Sequence, residues 1–472
     1  MAAVLRLANV GQTTTVDLLG SALKLRAGRW GTRTPAQESQ WQYAPFGAAA
    51  SFQRYSPIVE TFELTGQGSG ATLLAAVGAL EAFQEKARRW HNDPLADESV
   101  WLEWHAAGEN TKRSLVYDLG VQYPASLGMA PLMPFGALAA QLTITRHPLW
   151  ENVDTDTYTT PTLSCLGGQW ALTPGAACTA PARIRKLILN GVSGSGPLYR
   201  VWVGIRPVYA GFTNFLSTWE CEDSDALLGT DADRQTGGGA SGGGWVRVTF
   251  ATAAGSVKRL TIKVADVTSN YQDQIGHYQL LCRCKVDSGT AVALDIRQGS
   301  AGMADADHVV NEPAYITNTS WQLIELGRVQ IPPSGWRAAH GNNDIVKSTQ
   351  FQLWAERLSG TGYLHLDCLV FIPATHFVKV EGAAIQYQAG SPAPFTYPAE
   401  IITDENDTRT ALAYLAATSP AAVLQPVDQE WYLPTDGGLL VLAAERQAEH
   451  VLAEYVYPVM YTHPRWLSFR GA

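Results

Sequence analysis

Residues 71–90 (ATLLAAVGALEAFQEKARRW) repeat their apolar positions with a helical period, while the segments on either side alternate like strands. Leu73, Val77, Leu80, Gln84, Ala87 and Trp90 fall on one face, with Leu74 and Phe83 beside it. Lys86, Arg88 and Arg89 stand in the last turns, where cations suit the helix dipole. Asp93–Pro94 then stops the run. Ahead of it, Ile58–Leu64 alternates apolar and polar residues until Gly66, Gly68 and Gly70 break the pattern. Behind it, Val100–His105 and Ser114–Tyr123 read as strands. A Pro/Met/Gly-rich loop spans Pro124–Gly136, and Ala137–Arg146 is a closing strand. The pattern predicts one helix laid over an antiparallel sheet. No catalytic pattern lies within it.

The length of 472 residues suggests about three domains of roughly 150 residues. Only 16% of residues are charged, while Gly (43) and Trp (15) are plentiful, a balance that suits β-sandwiches and broad contact surfaces. The net charge of −9 argues against nucleic acid as a ligand. It is compatible with DNA sliding past an acidic wall, because repulsion prevents sticking. No apolar run reaches the roughly 18 residues of a membrane-spanning helix, so membrane insertion is not expected. The start, Met1–Arg6, lacks the features of a signal peptide. Cys165, Cys178, Cys221, Cys282, Cys284 and Cys368 form no CxxC pair and no zinc spacing. Cys282, Cys284 and Cys368 take inward strand positions and read as reduced core thiols. A Cys165–Cys178 bridge is left open.

The fold class expected is mainly β. Residues 1–150 form a first domain, with short strands at Ala3–Asn9, Thr13–Leu18 and Ala22–Arg26 and an aromatic stretch at Gln40–Phe46. Residues 151–160 are polar and read as a linker. A second sandwich starts within 151–209, with strands at Ala182–Leu189 and Leu198–Ile205. Residues 210–375 hold a Gly-rich loop, Gly237–Gly244, expected to be mobile. Regularly spaced strands at Trp245–Ala251, Val257–Val264, Tyr278–Val286, Ala291–Arg297, Trp321–Ile331, Gln350–Glu356 and Gly362–Pro373 predict a jelly roll, nested in the second sandwich or following it. Residues 376–472 either complete that sandwich or form a further small domain. They include Phe377–Glu381, Ala384–Gln388, a short helix at Thr408–Ala416, and Gly438–Tyr457, which reads as helix or hairpin.

No GxSxG, GxxxxGK[ST], HExxH or post-strand GxGxxG occurs, so no catalytic residue, metal or cofactor is assigned. Asp305-Ala-Asp-His308 reads as an acidic loop. Asp404-Glu-Asn-Asp407 offers calcium-type oxygens without an EF-hand frame. The jelly roll supplies the candidate site. Side chains alternate across a strand, so Tyr363, His365 and Asp367 turn away from the core, as do Gln352, Trp354 and Glu356, and Gln279, Arg283 and Lys285. If these strands share a sheet, one face carries flat rings flanked by hydrogen-bonding groups, which is what a sugar requires. Trp354, Tyr363, His365, Asp367, Arg283 and the loop residue Trp336 are therefore the glycan-binding candidates. The bland reading is a face covered by a neighbouring domain or subunit. Trp30, Trp41, Tyr43, Phe46, Trp150 and Trp466 read as interface anchors. Met129, Met133 and Phe135 sit in a loop shaped to reach a neighbour.

The order of features in the first 150 or so residues (strand 57–64, helix 71–90, strands 100–105 and 114–123, and a last strand ending TITRHPLW) resembles the N-terminal domain of distal tail proteins of long-tailed bacteriophages. That domain is similar to the phage tail-tube fold. The sandwich and jelly roll that follow look like enlarged distal tail proteins with a carbohydrate-binding module. The resemblance implies a non-enzymatic virion protein, assembled in the host cytoplasm, that closes into a ring of probable six-fold symmetry. It implies contacts with the tail-tube protein and with baseplate hub or tail-tip proteins, host polysaccharide as an outside ligand, and a channel that the genome crosses without specific binding. The family offers no catalytic residues to carry over, and residues 376–472 depart from its pattern.

The expected function is thus a ring-forming distal tail or baseplate component with a peripheral glycan-binding module. Its rivals are a tail-tube protein with decoration domains, which copy number separates, and a glycan-active enzyme with an accessory module, which needs an acid pair in a cleft. A free lectin is a third.

Overall fold

The structure is a computed structural model that describes residues 3–9, 12–20, 22–27, 37–44, 47–92, 99–106, 108–123, 137–160, 162–174, 178–191, 200–208, 214–223, 226–268, 271–300, 308–331, 349–374, 376–381, 399–402, 432–446, 450 and 455–467. The fold is mainly β, with several antiparallel sheets and one long helix, α1 (Gly70–Asn92). The predicted loop 124–136, the segments Ala384–Gln388, Thr408–Ala416 and Asp404–Asp407, the acidic residues Asp305 and Asp307, and Trp30 and Phe46 lie outside the described residues.

Helix α1 buries Leu73, Val77, Leu80, Phe83, Ala87 and Trp90. Phe83 takes the place expected for Gln84, and Leu74 is left 57% exposed. Each large apolar side chain so buried contributes about 1.5–3 kcal/mol. They pack on Phe62, Leu64, Leu119, Leu142 and Ile144 of the strands Ile58–Gln67, Lys112–Gln122 and Ala137–Arg146. The long strand Ile58–Gln67 alternates buried and exposed residues throughout, as its sequence requires. Beside this sheet, Gln37–Ala44 and Gly47–Tyr55 form a hairpin whose strands, among the described residues, pair only with each other. Its second strand was not expected from sequence.

Residues 151–160 are not a linker. Trp150–Asn152 pairs on one side with Lys112–Gln122 and on the other with Tyr455–Trp466, and Asp156–Thr159 pairs with the same C-terminal strand. One 14-stranded sheet therefore runs from the helix-backed strands into the next sandwich. A polar segment can be a strand when its partners are supplied from some three hundred residues away, which local pattern does not reveal. Trp150, expected as an interface anchor, is fully buried in the chain's own core. The Arg146 guanidinium lies 4.7 Å from its ring and is paired to Glu60 through two hydrogen bonds of 3.1 Å. Trp466 is likewise buried, with the Lys112 ammonium 4.7 Å above it. Between the two units, buried Glu151 accepts hydrogen bonds from Arg183 (2.8 and 3.0 Å), Arg113 (3.2 Å) and Arg465 (3.4 Å). Burial alone would raise its pKa. Arg183, His463, Arg113 and Arg465 together hold it well below the usual carboxylate range.

In the ambiguous stretch 438–457, Gly438–Glu445 is strand and pairs with Gly168–Leu172 and Arg200–Pro207, and residues 455–457 begin the strand Tyr455–Trp466 of the long sheet. This four-stranded sheet packs one face, Val201, Val203, Ile205, Leu440 and Leu442, on Leu187, Leu189 and Met460 of the long sheet. Its other face, with Trp202, Val441 and Ala443, joins the core of the jelly roll. Gly204 is needed there, because a Cβ would lie 2.0 Å from the Pro373 carbonyl oxygen.

The jelly roll has two six-stranded sheets. The near sheet, which packs on the second sandwich, runs in the order Ala232–Thr236, Gly244–Val248, Leu364–Pro373, Gly276–Val286, Gln322–Ile331, with Thr218–Glu220 also on Leu364–Pro373. The far sheet runs Leu227–Leu228, Val257–Lys263, Thr349–Ser359, Ala291–Ser300, His308–Val309, with Ala314–Ile316 also on Ala291–Ser300. Between them lie Trp219, Phe351, Phe371, Leu280, Leu294 and their neighbours. Cys221, Cys282, Cys284 and Cys368 are buried free thiols, and Cys165 and Cys178 are free as well.

Candidate functional site

The strand register places the far sheet's outward side chains in three rows, since residues directly opposite one another point to the same face. One row is Leu227, Thr261, Gln352, Arg297 and Val309, crossing five strands. The next is Lys258, Trp354 and Asp295. The third is Glu356, Ala293 and Tyr315. Leu227, Val309 and Tyr315 are 52%, 47% and 75% exposed, and apolar surface concentrated on one face marks an interaction surface.

Trp354 sits at the centre and is held from two sides. The Arg297 guanidinium lies 3.7 Å from its ring centroid, and its indole N–H donates to Gln352 Oε1 at 3.2 Å. Arg297 in turn donates to Asp295 Oδ2 at 3.1 Å. Gln352 and Asp295 are buried, so the ring and the guanidinium are fixed by groups that are themselves fixed. The face combines flat apolar surface with amide, carboxylate and guanidinium groups. That combination can stack on the CH face of a sugar and bond its hydroxyls.

The near sheet behaves differently. The condition that all the candidate strands share a sheet fails: Trp354 is on the far sheet, while Tyr363, His365, Asp367 and Arg283 are on the near one. Tyr363 is 39% exposed. His365 is largely buried, donating from Nε2 to Asp287 Oδ1 (2.9 Å), among the rings of Trp245, Trp321 and Tyr363. Burial lowers its pKa, against the pull of Asp287. Asp367 and Arg283 cannot serve as surface contacts, because both are buried and bonded to each other. The physical reason is cover from elsewhere in the chain, Ser241 lying on Asp367 and His450 on Arg283. Arg283 pairs with Cys368 and Cys284 with Leu366, so Asp367 is an extra residue that shifts the alternation. Beyond it Phe371 turns inward onto Phe351.

The Gly-rich loop expected to be mobile is pinned over this place. Ser241 Oγ lies 2.6 Å from Glu220 Oε2 and 2.9 Å from Asp367 Oδ1, and its backbone N–H also donates to Asp367 Oδ1 at 2.9 Å. Glycines permit the fold-over: Gly242 has φ 61, and a Cβ there would meet Glu222 Oε1 at 2.6 Å. Burial raises the pKa of Glu220 and Asp367, and burial together with Glu220 and Asp367 pushes Glu222 up to about 7. On the far side of Arg283, its Nε donates to His450 Nδ1 at 3.1 Å and its Nη2 to the His450 carbonyl at 3.0 Å. His450 donates from Nε2 to the Cys165 carbonyl at 3.1 Å, a neutral tautomer consistent with a pKa that burial and Arg283 bring down to about 4. Glu220, Asp367 and Cys368 offer ligand atoms within 4.8 Å of one another, but both Asp367 oxygens are already engaged by Ser241 and Arg283.

Of the remaining candidates, Trp336, Met129, Met133 and Phe135 lie outside the described residues. Sequence reasoning missed Asp295, Arg297, Tyr315, Val309, Trp245 and Trp321. Asp295 and Arg297 were readable, since Val292, Leu294 and Ile296 alternate with them. Tyr315 lies in a three-residue strand too short for any period to show.

No protein-family model and no curated protein matches the chain. Among solved structures, the Dit protein of phage SPP1, described as a hub of the adsorption apparatus in phages infecting Gram-positive bacteria, overlaps 77% of this chain and 98% of its own, at 11% identity and a TM-score of 0.20. The phage p2 baseplate in its activated conformation with Sr overlaps 78% and 98%, at 10% identity and a TM-score of 0.20. A structure of infectious bursal disease virus overlaps 66% and 80%, at 9% identity and a TM-score of 0.17. Overlaps of this size do not establish a shared fold.

Proposed function

We propose that the chain is a structural protein of a phage tail, a ring-forming distal tail or baseplate component that joins tail tube to tail tip and carries the jelly roll outside as a glycan-binding module. The observation that carries this reading is the open face of the helix-backed sheet. Opposite α1, the register sets Asp118–Thr145–Val59, Gly120–Thr143–Thr61 and Gln122–Gln141–Glu63 side by side. These side chains are mostly short and polar; Glu63 and Asp118 are acidic, and the next row, Lys24–Thr65–Ala139, adds one cation. A sheet face normally finds a covering layer. One lined this way instead suits a wall along which a polyanion passes without sticking. The hairpin Gln37–Tyr55 fits the same picture. An isolated two-stranded hairpin is marginal in water, so an adjacent copy is its natural support. Ring closure by such head-to-tail contacts follows when the rotation closes.

Light scattering with negative-stain imaging tests this. Closed rings with an open centre are expected, and removal of residues 37–55 is expected to abolish rings while leaving the unfolding midpoint of the remaining chain unchanged. Long stacked tubes would favour a tail-tube role. Depolymerisation of a polysaccharide, lost on changing one carboxylate, would replace the structural reading with an enzymatic one.

A further inference from the structure

We infer that the far face of the jelly roll takes an extended, equatorially linked hexopyranose chain across two stacking platforms, Trp354 and Tyr315, and not a single terminal sugar. This rests on the reading of that face as a glycan-binding surface. Trp354 stands opposite Asp295, and Tyr315 opposite Ala293, two residues along the shared strand Ala291–Ser300. Two strand spacings across and two residues along separate the two Cα atoms by roughly 12 Å. An extended β-1,4-linked chain advances about 5 Å per sugar, as follows from ordinary single-bond lengths. The two rings therefore meet sugars i and i+2, while a tightly coiled α-linked chain cannot lie along both.

The platforms differ in preparation. Trp354 has one ring face taken by Arg297 and its N–H by Gln352, so it meets a sugar already oriented. Tyr315 is 75% exposed on an edge strand and is ordered by the ligand. Arg297 lies in the row beyond Trp354, where it supplies hydroxyl contacts on the Trp354 side, held in place by buried Asp295. Trp354 thus carries the basal contact, and Tyr315 adds to it only when the chain is long enough.

Calorimetric titration of the full chain with β-1,4-linked glucose and N-acetylglucosamine ladders, from disaccharide to hexasaccharide, tests this, with α-1,4-linked glucose oligomers as the coiled control. Affinity is expected to rise about tenfold, equivalent to 1.4 kcal/mol, between disaccharide and tetrasaccharide and then to level off. Tyr315→Ala is expected to erase that rise. Trp354→Ala is expected to abolish binding of every length. Binding that ignores chain length, survives Tyr315→Ala intact or extends equally to the α-linked series overturns the two-platform inference but spares the glycan face. Absence of binding by all ladders, or binding untouched by Trp354→Ala, removes the face itself as the site.

Discussion

The two sheets of the jelly roll are built alike, and each turns an aromatic and charged set of side chains outward, yet their outer faces end in opposite states. On the near sheet the outward groups close on the chain itself: Asp367 and Arg283 bond each other, Ser241 caps one and His450 the other. On the far sheet Trp354, Tyr315 and Val309 keep surface to offer. Alternation identifies which side chains leave a core. What lies beyond them is decided by segments distant in sequence, here the loop 237–244 and His450. The same residue types become an internal strut in one place and an outer surface in the other.

The contrast breaks most readily at Arg283. Arg283→Met strands the Asp367 carboxylate in the interior, and a loss of about 3–5 kcal/mol is expected in chemical denaturation. Trp354→Ala on the far sheet should cost no more than about 1 kcal/mol, because its ring is partly solvated. Equal losses would show that the far face is also structural.

A second comparison stays within the pinned loop. Gly242→Ala places a Cβ against Glu222 at positive φ, for an expected loss of about 1–2 kcal/mol. Gly238→Ala meets nothing within 4 Å and should be neutral to about 0.5 kcal/mol. Similar values for both would mean that the loop does not rest on Glu222.

Acidity sharpens the picture further. A hydroxyl has one hydrogen, so Ser241 Oγ can satisfy both Glu220 and Asp367 only if one carboxyl is itself protonated. The folded pKa values of Glu220, Glu222 and Asp367 are all raised. A raised carboxyl pKa stabilises the fold fully below its unfolded value, and that contribution is lost as pH rises through the folded value, about 7 for Glu222. Amide exchange in 237–244, corrected for the intrinsic rate, should therefore quicken as pH climbs from 4.5 to about 7 and level off above it, and Glu222→Gln should blunt the change. Amides outside this loop, including those of the far sheet, give the baseline. The smallest effect is expected from Tyr315→Ala, within about 0.5 kcal/mol in stability, measured as an unchanged unfolding midpoint.

Much of the fold was legible because it is local. Helix α1 and the strand Ala137–Arg146 follow from period alone, and the jelly-roll strands from alternation between turns. The failures are non-local. Residues 151–160 look like a linker until Tyr455–Trp466 arrives to pair with them. Asp367 looks like a surface group until Ser241 of the loop 237–244 closes over it. Trp150 looks like an anchor until Arg146 and Glu60 enclose it. At the candidate site Trp354 was found by alternation, but its partners were sought on the wrong sheet, since no single strand states which sheet it joins.

The C-terminal strand Tyr455–Trp466 has a mechanical consequence. It is hydrogen-bonded along its length to Asp156–Thr159 on one side and Ala180–Gly191 on the other, while Trp150–Asn152 ties it to the helix-backed strands. A pull along this strand loads many backbone bonds in shear, so they must yield together and not one by one. A tug on the jelly roll would then reach the helix-backed sheet as through a stiff spoke, with little slack to absorb it.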